Sequence, residues 1–247
     1  MKYFAKIKYL GTNFHGFQVQ PSERTVQGTL CEALYQALGT KAAVTGCSRT
    51  DAGVHANEFC LVIDAPGATV PADKLPVAIA RFLPCDLSLF WAKECNDDFH
   101  PRYDVKEKEY LYRIMNQKVY DPFEYGRAWF LPRDIDEGRL ARMNQAAKHF
   151  IGKMDFSAFM AEGSDVVDTV RCVTHLSIEK QGDLVEVRIR ADGFLYNMVR
   201  IIVGTLVEVA YGRFEPDYVA EIIESCDRKN AGMTAPADGL YLNRVFY

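Results

Sequence analysis

Asp51 stands in the segment Arg49-Thr50-Asp51-Ala52-Gly53-Val54-His55-Ala56. A short Asp-Ala-Gly turn of this kind can hold a carboxylate out into a cleft. A cation nearby, such as Arg49, would keep that carboxylate ionised, and an ionised, positioned carboxylate can serve as nucleophile or base. The same residues also fit a plain Asx-turn, with Arg49 a surface charge and His55 a hydrogen-bonded loop residue. Other chemistry has little support. The seven cysteines never form a CxxC pair and the five histidines form no HExxH, so neither a metal site nor a disulfide framework is expected. No P-loop and no GxGxxG turn occurs, and no cofactor is expected.

The turn must be held by regular elements, and hydrophobic periodicity locates them. Tyr3, Ala5, Ile7 and Tyr9 alternate with Phe4, Lys6, Lys8 and Leu10, the period of a strand with one buried face. A loop over residues 11–21 leads to a helix capped by Thr25. Val26, Leu30, Leu34 and Leu38 form its stripe, and Gly39 ends it. Strands are expected at 43–46, 58–63 and 87–91, with a helix presenting Leu75, Ile79 and Phe82 before Pro84. In the second half, residues 110–115 read as a strand, and Leu140, Met143, Ala147 and Phe150 as a helix closed by Gly152. A hairpin turns about residues 181–183. A long apolar helix runs from Leu195 to Gly212, a further helix has Pro216 in its first turn, and a last strand includes Leu240-Tyr241-Leu242. Strands and helices are mixed without a βαβ repeat. The fold class is therefore α+β with mainly antiparallel sheet, in two subdomains, 1–105 and 106–247.

The composition, 49% apolar and 25% charged over 247 residues, is that of an ordinary globular protein. Charge breaks the apolar stretches well short of the roughly 18 residues that a membrane helix needs. Residues 1–8 alternate in polarity and lack the apolar core of a signal peptide, so a cytoplasmic location is expected. A net charge of −4 argues against an anionic partner when taken alone. Yet Lys106, Lys108, Arg113, Arg171, Arg188, Arg190 and Arg200 fall in segments that could share a basic face, although charge alone favours solvated strand surface.

Several motifs follow one another in order along nearly the whole chain. They are Tyr9, Gly11, Thr12, Phe14, Gly16, Gln18 and Gln20; Ser48 to Ala56; Phe99-His100-x-Arg102; and Lys108-x-Tyr110-x-Tyr112. Further on come Asp155 to Phe159, then Phe194-Leu195-x-x-Met198-Val199-Arg200 with Gly204, and Ala235-Pro236-x-x-Gly239-Leu240-Tyr241-Leu242. This series resembles the TruA family of tRNA pseudouridine synthases. Departures from the family pattern stand at Leu10, Phe17, Ser48, Pro101, Tyr103 and Asp104, beside the chemical residues rather than at them.

The resemblance implies two ferredoxin/RRM-like subdomains meeting at a central active-site cleft. It implies an isomerase that converts uridine to pseudouridine in the anticodon stem-loop of tRNA, at positions 38 to 40, as a homodimer with one tRNA contacting both subunits. Asp51 would be the nucleophile, Arg200 its ionic partner, Tyr110 a ring stacked on the target uracil, and Arg49 a contact to RNA or to the flipped nucleotide. The physics is compatible with these roles. A free aspartate titrates near 3.9, and a buried one tends to protonate unless a cation offsets desolvation. Substrate and product are isomers, so neither ATP, redox cofactor nor metal is formally required. The nucleotide must leave its stack, at a few kcal/mol. Attack on C1′, attack on C6 and an assisted elimination all stay open.

Overall fold

The computed structural model describes residues 1–164 and 166–247, which form two compact units. The first comprises Met1–Lys106 and Tyr241–Tyr247, the second Glu107–Leu240. The C-terminal strand, expected with the second subdomain, is therefore counted for the most part with the first. Its Tyr241 and Leu242 lie parallel to His55 and Ala56, and hydrophobic pattern alone could not say which sheet would take them.

The first unit contains β1 (Lys2–Tyr9), α1 (Val26–Leu38), β2 (Ala43–Gly46), β3 (His55–Asp64), α2 (Leu75–Ala80) and β4 (Leu87–Glu94). β1 pairs antiparallel with both β3 and β4, and β2 pairs with the far end of β3. Tyr3, Ala5, Ile7 and Tyr9 are all buried on one face of β1. Thr25 caps α1 by accepting the Gly28 amide, and Gly39 stops it in the left-handed region at φ 69°. Val26, Leu30 and Leu34 of α1 are fully covered. α2 is shorter than the stripe suggests. It ends at Ala80, and Phe82 sits in the turn beyond, its amide bonded to the Ile79 carbonyl.

The second unit contains β5 (Glu107–Met115), β6 (Trp129–Phe130), α3 (Glu137–Ala147), β7 (Gly152–Asp155), β8 (Val170–Gln181), β9 (Leu184–Ala191), α4 (Met198–Ala210) and α5 (Tyr218–Ser225). Its strands lie in the order β5-β9-β8-β7, antiparallel throughout, with β6 parallel beside β5. The strand β10 (Leu240–Phe246) closes the chain. Three boundaries differ from the periodicity. α3 ends at Ala147 and passes into a 3-10 turn that carries Phe150. Gly152 opens a strand, at φ 123°, rather than closing a helix. α4 begins at Met198, because Asn197 takes a left-handed conformation at φ 58° and breaks the run from Leu195. Pro216 likewise precedes α5 rather than joining it. The fold is α+β with mostly antiparallel sheet.

No helix among the described residues is long and apolar enough to cross a membrane.

Candidate active site

Asp51 lies in a turn between β2 and β3, half-exposed, with its carbonyl accepting the Val54 amide at 3.2 Å. The loop after β1 grips this turn from several sides. Phe17 N–H donates to the Thr50 carbonyl at 3.0 Å, and Gly53 N–H donates to the Phe14 carbonyl at 3.2 Å. Tyr9 and Thr50 share a buried hydroxyl–hydroxyl bond of 2.7 Å. His55 Nδ1 accepts the Gly11 amide at 2.8 Å, and its ring stacks on Tyr241 with centroids 4.5 Å apart. His55 is fully buried and committed to this bond, so it is a scaffold of the turn.

Two glycines of the first motif explain themselves here. A Cβ on Gly11 would lie 2.0 Å from the Val54 carbonyl oxygen. One on Gly16, whose φ is +80°, would lie 2.7 Å from that of Thr50. The loop approaches the Asp51 turn so closely that no side chain fits between them.

Arg49 is exposed on the same unit. It lines a cleft of about 220 Å³ together with Gln18, Gln27, His100, Arg102 and Tyr103. The sequence marked His100 and Arg102 as motif residues without giving them a task. Their place beside Arg49 joins segments some fifty residues apart, which no spacing rule reveals.

Tyr110 and Arg200 belong to the second unit. Tyr110, on β5, is only 8% exposed, and its ring meets Phe194 edge-on at 5.0 Å. Phe194 is a neighbour that sequence reading placed in a motif but not beside Tyr110. Arg200 and Glu208 are the two residues of α4 that are not buried. Arg200 donates through Nε to the Ala235 carbonyl and through Nη1 to Asn197 Oδ1, both at 2.7 Å, while its own carbonyl accepts the Ala235 amide at 3.1 Å. The guanidinium is thereby fixed in direction. The segment that holds it is packed hard against α4: a Cβ on Gly204 would lie 1.8 Å from the Met233 carbonyl oxygen. Thr205 Oγ1 accepts the Gly232 amide and donates to the Ile201 carbonyl. Beside it, Tyr112 donates to the Pro236 carbonyl at 2.7 Å. Burial pushes the Tyr112 phenol well above its ordinary value, with Arg200 opposing, so it stays protonated as a donor.

Three of the cations that the sequence offered for a basic face are paired with glutamates. Arg190 pairs with Glu109 at 2.7 Å, Arg188 with Glu186, and Arg113 reaches Glu124 and Glu186 at 3.5 and 3.8 Å. Arg171 donates to the carbonyls of Asp168 and Val170. Among the described residues no group of three or more His, Cys, Asp or Glu could hold a metal ion.

Comparison with known proteins decides the family. A family model described as tRNA pseudouridine synthase matches residues 5–104 and 146–247. The chain belongs to the tRNA pseudouridine synthase family. Relatives called tRNA pseudouridine synthase A in Thermoanaerobacter sp. (strain X514) and Brevibacillus brevis are each 44% identical to it over 98% of this chain and 97% of theirs. One from Acetivibrio thermocellus is 43% identical over the same shares. Both family-matched segments include residues placed above: the Asp51 turn with its cradle in the first, and α4 with the 232–236 segment in the second.

Proposed function

We propose that this protein isomerises uridine to pseudouridine in the anticodon stem-loop of tRNA, at positions 38 to 40, with Asp51 as nucleophile. The observation that carries the reading is the Asp51 turn itself. It is fixed from both sides by backbone and side-chain bonds, yet its carboxylate-bearing residue stays half-exposed, as a preorganised nucleophile requires. In the reaction the C1′–N1 bond breaks, the uracil turns, and a C1′–C5 bond forms. N1 gains a proton and C5 loses one, so the balance closes with no other reactant.

Arg200 serves as the cationic partner of Asp51, supported by the family motif and by its fixed, incompletely buried guanidinium. Tyr110 stacks on the target uracil, with Phe194 supporting its ring. Arg49, exposed in its cleft, contacts the RNA or holds the flipped nucleotide. The protein works in the cytoplasm as a homodimer on one tRNA, which would let two modest basic regions act on one polyanion.

Mapping pseudouridine in tRNA from cells with and without the protein tests the assignment. The expected result is loss of pseudouridine at positions 38 to 40 and nowhere else. Retention at all three positions would overturn it.

A further inference from the structure

The turn 100–104 carries the most clearly built feature outside the Asp51 region. Tyr103 is 77% exposed, and one face of its ring lies on His100 with centroids 4.2 Å apart and planes 27° from parallel. His100 is itself fixed. Its Nδ1 accepts the amides of Arg102 and Tyr103 at 3.1 and 3.3 Å, and its own amide donates to the Asp104 carboxylate at 2.9 Å.

The turn is anchored from below. Tyr247 donates to the Pro101 carbonyl at 2.8 Å, and Phe99 packs against Phe4 and Tyr247 at 4.9 and 5.1 Å between centroids. An exposed tyrosine held this firmly on one face is a rigid platform with its other face open. Arg49 and Arg102 line the same cleft, both exposed, and among the described residues neither guanidinium has a carboxylate within ion-pair distance. A flat aromatic face beside two uncompensated guanidinium groups matches a nucleotide: a base stacks on the ring and its phosphate takes the charge.

We propose that Tyr103, on its His100 support, stacks an unpaired base of the RNA substrate, while Arg49 and Arg102 hold the adjoining phosphate. The proposal rests on the RNA-modifying reading above and adds to it a stacking subsite beside Arg49 for a base other than the reacting uracil. Tyr103 takes no part in the chemistry, so its loss affects binding rather than turnover.

The test measures binding of transcribed tRNA by the full-length protein, and in parallel the rate of pseudouridine formation against tRNA concentration. Tyr103→Ala raises the dissociation constant and KM about tenfold, the scale of one lost base stack, with kcat within about twofold of wild type. Tyr103→Phe restores both constants. Arg102→Ala weakens binding and reduces the salt slope by about one. Wild-type binding and KM in Tyr103→Ala would overturn the proposal, as would a fall in kcat with unchanged binding. If the wild-type protein binds tRNA but forms no pseudouridine, the functional reading fails. The binding arm alone then decides the platform: a weakened Tyr103→Ala sustains it and an unchanged one removes it.

Discussion

At the scale of single residues, Asp51 is ambiguous by itself, since Asp-x-Gly turns are common and most do no chemistry. The ordered motifs along the chain are what single it out as the candidate nucleophile. What held the turn was not legible. The Tyr9–Thr50 and Gly11–His55 bonds join positions 41 and 44 residues apart, and side-chain pairings at that distance leave no period in a sequence. Gly11 and Gly16 could be quoted as motif residues, but only the structure shows that their missing Cβ atoms make room for the Asp51 turn. This gives a prediction. Gly16→Ala combines a positive φ with a contact that must shift, and should cost about 1–3 kcal/mol of stability. Because the displaced atom belongs to Thr50, next to Asp51, turnover should fall further than the loss of folded protein explains. Urea unfolding together with rates normalised to folded protein would check it. Unimpaired turnover would mean that the cradle does not position Asp51.

At the scale of elements, the long helices and the alternating strands were readable, and the short or kinked pieces were not. α1 follows its stripe, its Thr25 cap and its Gly39 stop closely. β6 and β7, of two and four residues, are too short to show a period. The start of α4 escaped because asparagine tolerates the left-handed region but does not require it, and Asn197 sits inside an apolar run. That kink matters, since Asn197 then offers its side-chain oxygen to Arg200. The orientation of Arg200 thus depends on how α4 meets the 232–236 segment, and Thr205 ties the two together. Thr205→Val keeps the shape but leaves the buried Gly232 amide without its acceptor, a loss of about 1–3 kcal/mol. A thermal or chemical melt should record that loss. An unchanged midpoint would show that the bond is not what locks this segment to the helix.

At the scale of the whole molecule, the first unit runs from Met1 to Lys106 and takes back Tyr241–Tyr247, a return that hydrophobic pattern does not show. Strand partners far apart in sequence are chosen by three-dimensional fit. Charge shows the same limit from the other side. The net charge of −4 hides local clusters, and of the cations named from sequence Arg113, Arg188 and Arg190 are paired with glutamates. Exposed cations also lie outside that set, Arg49 and Arg102 of one cleft among them. Binding of tRNA should therefore weaken as salt rises, with a slope set by a handful of phosphate contacts. Filter binding across a salt series would measure it, and an affinity flat from low to physiological salt would contradict RNA recognition through basic groups.

The central claim is that the Asp51 carboxylate performs the chemistry. Pseudouridine formation in transcribed tRNA by the Asp51→Asn variant tests it most directly, because the amide keeps the size and most of the turn but removes the nucleophile. Abolished product, with folding and tRNA binding like wild type, is the predicted result. Turnover at the wild-type rate would contradict it.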